Sequence, residues 1–166
     1  MTTARNYILD QETAEKKLLR MAYEILENNA DEPAIIFAGI RERGKSIARR
    51  IQQLFSTIST IPTSVISVQL DKDMPDEVKL SEEMNFDDKV IILIDDVASS
   101  GKTLVYALKP FIHDHPRKIQ TLVLVERSHK TFPVHPDYVG LSLATTLQDH
   151  IFVEVEGDTV KGAYLE

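Results

Sequence analysis

The stretch VIILIDDVASSGKT, residues 90–103, brings two kinds of chemistry together. Five apolar residues lead into the adjacent carboxylates Asp95 and Asp96, and a loop of small residues then ends in Gly101, Lys102 and Thr103. This pattern predicts a buried strand over 89–95 and a helix from about Gly101 that ends before Pro116. At a strand-to-helix turn, free backbone N–H groups and the helix dipole favour an anion. Ser99, Ser100 and Thr103 add hydroxyl donors, and Gly101 lets the backbone approach closely. Gly-Lys-Thr also closes the triphosphate P-loop, but that motif needs a glycine where Asp96 stands. A carboxylate there would face triphosphate at close range, so the P-loop is rejected. A carboxylate pair beside a phosphate cradle suits a ribose 5-phosphate instead. The carboxylates accept hydrogen bonds from the sugar hydroxyls and help hold Mg²⁺, while the loop takes the 5-phosphate. The bland alternative is that the pair only caps the following helix.

The elements around this stretch must place it. Residues 10–29 read as an amphipathic helix with Asp10 as N-cap and Leu18, Ala22, Ile25 and Leu26 on one face. AIIFAGI, residues 34–40, reads as a short strand, followed by a basic turn, RERG, and a helix over 45–56 carrying Ile47, Ile51, Leu54 and Phe55. VISVQL at 65–70 and IQTLVLV at 119–125 read as further strands, with an irregular excursion over 71–88 between the first of them and the strand at 89–95. Residues 126–150 read as mostly irregular, and the tail IFVEVEGDTVKGAYLE as two strands around a Glu-Gly-Asp turn. Strands alternating with helices imply one α/β domain over residues 1–166 with a mainly parallel sheet. Ligands of such sheets sit at the carboxyl ends of the strands, where both RERG and DDVASSGKT fall.

Composition narrows the function classes. A chain of 166 residues, 43% hydrophobic and 27% charged, can bury a core as one domain. It holds no apolar run of membrane-spanning length, and its first residues lack the apolar centre of a secretory signal. With no cysteine, disulfides and thiolate metal sites are excluded, and a cytoplasmic location is expected. The net charge of −7 argues against a strong nucleic-acid footprint. Charge is uneven: Asp71, Asp73, Asp76, Glu77, Glu82, Glu83, Asp87 and Asp88 face only Lys72 and Lys79, whereas Arg41, Arg43, Lys45, Arg49 and Arg50 surround Glu42. The second cluster can serve a small, highly charged anion.

Four hydrophobics, two acids and a small-residue loop ending in Gly and Thr resemble the phosphoribosyl pyrophosphate (PRPP) motif of type I phosphoribosyltransferases. GIRERG at 39–44, ERSHKTFPVHPDYVG at 126–140 and VEVEGDTVKGAYLE at the end resemble, in order and spacing, the PyrR group within that family. These are pyrimidine-operon attenuators with uracil phosphoribosyltransferase activity. The resemblance implies an α/β type I phosphoribosyltransferase fold, with a mainly parallel sheet flanked by helices and a small hood from the later chain, the base-recognition part falling at about 127–150. It implies transfer of ribose 5-phosphate from PRPP to a nucleobase, with uracil the expected acceptor and Mg²⁺ the cofactor. The alternative is a PyrR-like regulator that senses PRPP or nucleotides and binds RNA through residues such as Arg49, Arg50, Arg127 and Lys130. A homo-oligomer is implied in either case.

Residue by residue, the resemblance makes Asp95 and Asp96 the catalytic and Mg²⁺-holding pair, with Asp96 nearer the reacting base. Val97, Ala98, Ser99, Ser100, Gly101, Lys102 and Thr103 would bind the 5-phosphate. Arg41, Glu42, Arg43 and Gly44 would face the pyrophosphate, in a loop where family enzymes often carry a strained peptide; the alternative is a solvated basic turn. Arg127, His129, Tyr138 and Val139 would meet the base, Tyr138 as a covering aromatic ring or, equally, as a core residue. Two departures from the PyrR pattern stand out: the 70–88 segment is shorter and acidic, and Leu141 and Ala144 replace the usual Lys and Pro after the glycine.

Overall fold

The structure is a computed structural model that describes residues 4–71, 73–146 and 148–166. The chain order is β1 (Asn6–Asp10), α1 (Gln11–Asn29), β2 (Ile35–Ile40), α2 (Arg41–Ile58), β3 (Thr63–Gln69) and β4 (Lys79–Leu80). It continues through β5 (Val90–Ala98), α3 (Lys102–Ala107), α4 (Lys109–Ile112), β6 (Lys118–Arg127), β7 (Tyr138–Leu143), β8 (Ile151–Glu156) and β9 (Thr159–Leu165). The main sheet runs β4-β3-β2-β5-β6-β7. Only β4 is antiparallel in it, to β3. A small antiparallel sheet, β1-β9-β8, forms the hood from both ends of the chain.

The order of strands fixes where a ligand can sit. From β2 the chain builds outward through β3, then returns to lay β5 on the other side of β2 and continues through β6 and β7. The switch point therefore lies between β2 and β5, and a crevice opens at their carboxyl ends. One face of the sheet packs on α1 and α2 through Leu18, Met21, Ile25, Ile47, Ile51 and Phe55, all buried. The other packs on α3 and α4 through Leu104, Ala107 and Phe111, against Ile91, Leu93 and Val123. Asp10 caps α1 as its type predicts, accepting from the Thr13 N–H at 2.7 Å.

Several expectations need correction. RERG is not a turn: α2 begins at Arg41, directly after β2. Glycines permit this, since a Cβ on Gly39 would lie 2.4 Å from Lys45 Cα, and one on Gly44 2.6 Å from the Ile94 carbonyl. The carboxylates lie inside β5 rather than at its end, because the strand runs on to Ala98. The helix expected after Gly101 is broken into two pieces, with Pro110 in the first turn of the second. Residues 126–150 are mostly irregular, as expected, apart from the end of β6 and the strand β7. Its Gly140, which reads as a loop residue, marks a close approach, because a Cβ there would lie 2.3 Å from the Leu124 carbonyl. β1, which pairs with β9, has no counterpart among the elements expected from the sequence.

Candidate active site

β2 and β5 share their last rung at Gly39 and Ile94. Beyond it the chain of β2 turns into α2, while β5 continues. Asp95 and Asp96 are therefore the first side chains past the point where the neighbouring strand has left. Asp95 is buried, 3% exposed, and Asp96 is half-buried. Each accepts a local bond: the Asp96 N–H donates to Asp95 Oδ1 at 2.8 Å, and the Val97 N–H to Asp96 Oδ1 at 2.8 Å. Burial pushes the Asp95 carboxyl well above the usual range, the charge of Asp96 pushes it further, and Arg41 offsets part of this.

A cleft of about 730 Å³, open mouth included, is lined by Arg41, Arg43, Asp95, Asp96 and every residue from Val97 to Leu104, with Ile151, Phe152 and Val153. The two carboxylates, the whole of 97–103 and two of the four residues of the basic segment are thus brought together. Arg41 has φ 54, a left-handed conformation unusual for a residue with a side chain. Among the described residues, neither Arg41 nor Arg43 has a hydrogen-bond or ion-pair partner, although six other arginines do. Two unpaired guanidiniums opposite two carboxylates leave a gap suited to an anion that carries hydroxyls and a divalent cation.

The other expected residues lie elsewhere. Glu42 is exposed and lines a neighbouring groove with Ser46 and Arg49. Gly44 is buried, and its close approach to Ile94 fixes the start of α2 against β5. Arg127 ties down the following segment, donating to Thr145 Oγ1 at 2.7 Å and to the Asp149 carbonyl at 2.6 Å. His129 is exposed. Tyr138 is a core aromatic, 1% exposed, and its hydroxyl donates to Gln120 Oε1 at 2.8 Å. Its ring points to the α1 face, beside Asn29, and cannot cover a base there. Val139 is half-buried, and its carbonyl accepts from Arg20 on α1 at 2.9 Å.

The structure adds Ile151, Phe152 and Val153 of the hood to the cleft. The sequence showed these residues to be in a strand, but their place over the cleft depends on pairing with β9, which in turn pairs with β1. Asp71, first residue of the acidic segment, also belongs near the site. Its carboxyl is held below the ordinary range chiefly by the N–H groups of Asp73 and Met74, and additionally by the charge of Arg41. For Mg²⁺ the donor set fits, since this ion keeps several waters and needs only one or two carboxylates beside substrate phosphates. Asp95 and Asp96 supply that number. No group of three or more candidate metal ligands occurs among the described residues.

A family model for the phosphoribosyl transferase domain matches residues 5–158. Bifunctional protein PyrR of Streptococcus pneumoniae (strain CGSP14) is 36% identical over 154 residues, which is 89% of this chain and 88% of that protein. Among solved structures, the hypoxanthine phosphoribosyltransferase of Trypanosoma cruzi superposes with a TM-score of 0.79 at 11% identity, covering 98% of this chain and 96% of that one. A hypoxanthine-guanine phosphoribosyltransferase from Bacillus anthracis gives a TM-score of 0.72 at 16% identity, covering 85% and 84%. The structural likenesses speak to the fold and the sequence matches to descent. The chain belongs to the phosphoribosyl transferase domain family.

Proposed function

We propose that this phosphoribosyltransferase moves the ribose 5-phosphate of PRPP onto uracil, giving UMP and pyrophosphate. The observation that carries the proposal is the shared cleft, in which the carboxylate pair, the small-residue loop and two arginines without a partner among the described residues meet at the switch point of a mainly parallel sheet. In this reading the loop 97–103 holds the 5-phosphate through backbone N–H groups and the hydroxyls of Ser99, Ser100 and Thr103. Asp95 and Asp96 accept hydrogen bonds from the ribose 2- and 3-hydroxyls. Arg41 and Arg43 take the pyrophosphate through charge-assisted bonds. A ring nitrogen of the base attacks the anomeric carbon as the bond to pyrophosphate breaks, the N–H proton of the base passes to the departing pyrophosphate or to water, and positive charge develops on the sugar. Asp96, the less buried of the pair, stabilises that charge, and Asp95 fixes the sugar. Mg²⁺, held by Asp95 and Asp96 directly or through water, would neutralise and orient the leaving group.

The acceptor follows from the resemblance to PyrR proteins. With Tyr138 in the core, base recognition in this reading falls to Arg127, the chain that follows β7 and the hood edge at Phe152. An RNA-binding role receives no support from the basic residues that would carry it. Arg49 pairs with Asp158, Arg50 with Glu15 and Lys130 with Glu126, and Arg127 is committed to Thr145 and Asp149. Self-association belongs to the reading and is checked by light scattering.

The test is PRPP consumption with Mg²⁺ across uracil, guanine, hypoxanthine, adenine and orotate, with the nucleotide product identified. Turnover with uracil is expected. Turnover with a purine instead would reassign the acceptor, and PRPP binding without turnover would make the protein a sensor.

A further inference from the structure

Next to the phosphate loop, outside the residues that line the cleft, lies a largely buried ion pair to which the chemistry above gives no role. Lys130 is 3% exposed at its side chain, pairs with Glu126, and also donates to the Arg127 carbonyl at 3.2 Å. A lysine so enclosed is costly unless its charge is matched, so the pair fixes the turn that follows β6. Glu126 sits one strand from Ala98, its register partner on β5, and Ala98 lines the cleft.

From that turn, residues 131–134 reach back to the loop. The N–H groups of Thr131 and Phe132 donate to the Ser100 carbonyl at 3.1 and 3.0 Å. In a planar trans peptide the next N–H points opposite to the carbonyl. Holding the Ser100 carbonyl from behind therefore turns the Gly101 N–H toward the cleft. Gly101 itself has φ 86, and a Cβ there would lie 2.6 Å from Val134 Cγ1, 3.5 Å from Phe132 Cβ and 3.6 Å from Lys130 Cδ. This segment thus packs against the loop at Gly101, and its two hydrogen bonds hold the Ser100 carbonyl in place.

We propose that Glu126 and Lys130 are positioning residues for the 5-phosphate: their ion pair anchors a buttress, residues 131–134, that holds the Ser100–Gly101 peptide with its N–H toward the bound phosphate. This rests on the reading of 97–103 as the phosphate loop. Neither side chain touches substrate. The pair acts on binding of the phosphate end and leaves the reacting carbon alone.

The experiment uses the full chain with Lys130→Met, the paired variant Glu126→Gln/Lys130→Met, which leaves no buried unpaired carboxylate, and Lys130→Arg. KM for PRPP, kcat, the melting temperature and the affinity for ribose 5-phosphate by calorimetry are measured for each. Both methionine variants are expected to raise KM and weaken ribose 5-phosphate about tenfold, with kcat little changed, since small displacements of a binding group cost that order. Lys130→Arg is expected to restore both. A lower melting temperature with unchanged KM and unchanged ribose 5-phosphate affinity in the paired variant would overturn the proposal. Failure of the unmutated protein to bind ribose 5-phosphate would instead remove the phosphate-loop reading, and the buttress with it.

Discussion

The rim of the cleft built by β5 and the rim built by α2 differ in how their polar groups are satisfied. On the β5 side, Asp95 and Asp96 accept backbone bonds at 2.8 Å, Ser100 is held from behind, and Gly101 is enclosed. On the α2 side, Arg41 and Arg43 have no partner among the described residues, and Arg41 sits on a strained backbone angle. One rim is finished before any ligand arrives, and the other is completed by the ligand. The rigid side suits recognition of a ribose 5-phosphate, the part that is common to PRPP and the nucleotide product. The unpaired side suits pyrophosphate, which must be gripped and then released.

The largest effect that sharpens this contrast is expected from Asp96→Asn, on the finished rim. Loss of the charge facing the sugar should lower kcat about a hundredfold with the fold unchanged. Next comes Arg41→Ala on the open rim, expected to raise KM for PRPP about tenfold. That loss should shrink as salt rises, because the interaction is Coulombic and only half-buried. Equal kinetic effects from the two variants would erase the distinction between the rims.

Asp95→Asn reports the cost of the finished rim. Its carboxyl is raised by burial and by Asp96, so the folded state holds that proton more tightly than the unfolded chain. Its contribution to stability is greatest below the ordinary carboxylate range and is lost as pH rises through it toward the folded value. Above the ordinary carboxylate range, keeping Asp95 in its buried place therefore destabilises the fold. Asp95→Asn should raise the melting temperature by about 2–4 °C, equivalent to roughly 1 kcal/mol, while weakening PRPP binding. The gain should fade on acidification, and scanning calorimetry across pH checks it. The smallest effect is expected from Asp71→Asn, which removes an exposed charge near Arg41 and should tighten pyrophosphate binding by less than about threefold.

The contrast also separates what the sequence could reveal from what it could not. Asp95, Asp96 and 97–103 are consecutive, so local spacing carries their chemistry, and the cleft gathers all of them. Arg41 and Arg43 were legible as a basic cluster after a strand. Their helical setting was hidden because Gly39 and Gly44 matter through contacts with Lys45 and Ile94, which no local pattern displays. Tyr138 was open to two readings because an aromatic in a strand can serve either face, and only its register with Leu122 and its bond to Gln120 decide. The hood was the least legible part: β1 and β9 pair across nearly the whole chain, and Phe152 reaches the cleft only through that pairing.

The most direct test of the account is calorimetric titration of PRPP with Mg²⁺ into the protein and into an Asp95→Asn/Asp96→Asn variant whose folding is verified by its melting curve. The account predicts saturable binding at one site per chain, weakened at least tenfold in the folded variant. Undiminished binding to that variant would place PRPP away from the carboxylate cleft and contradict the account.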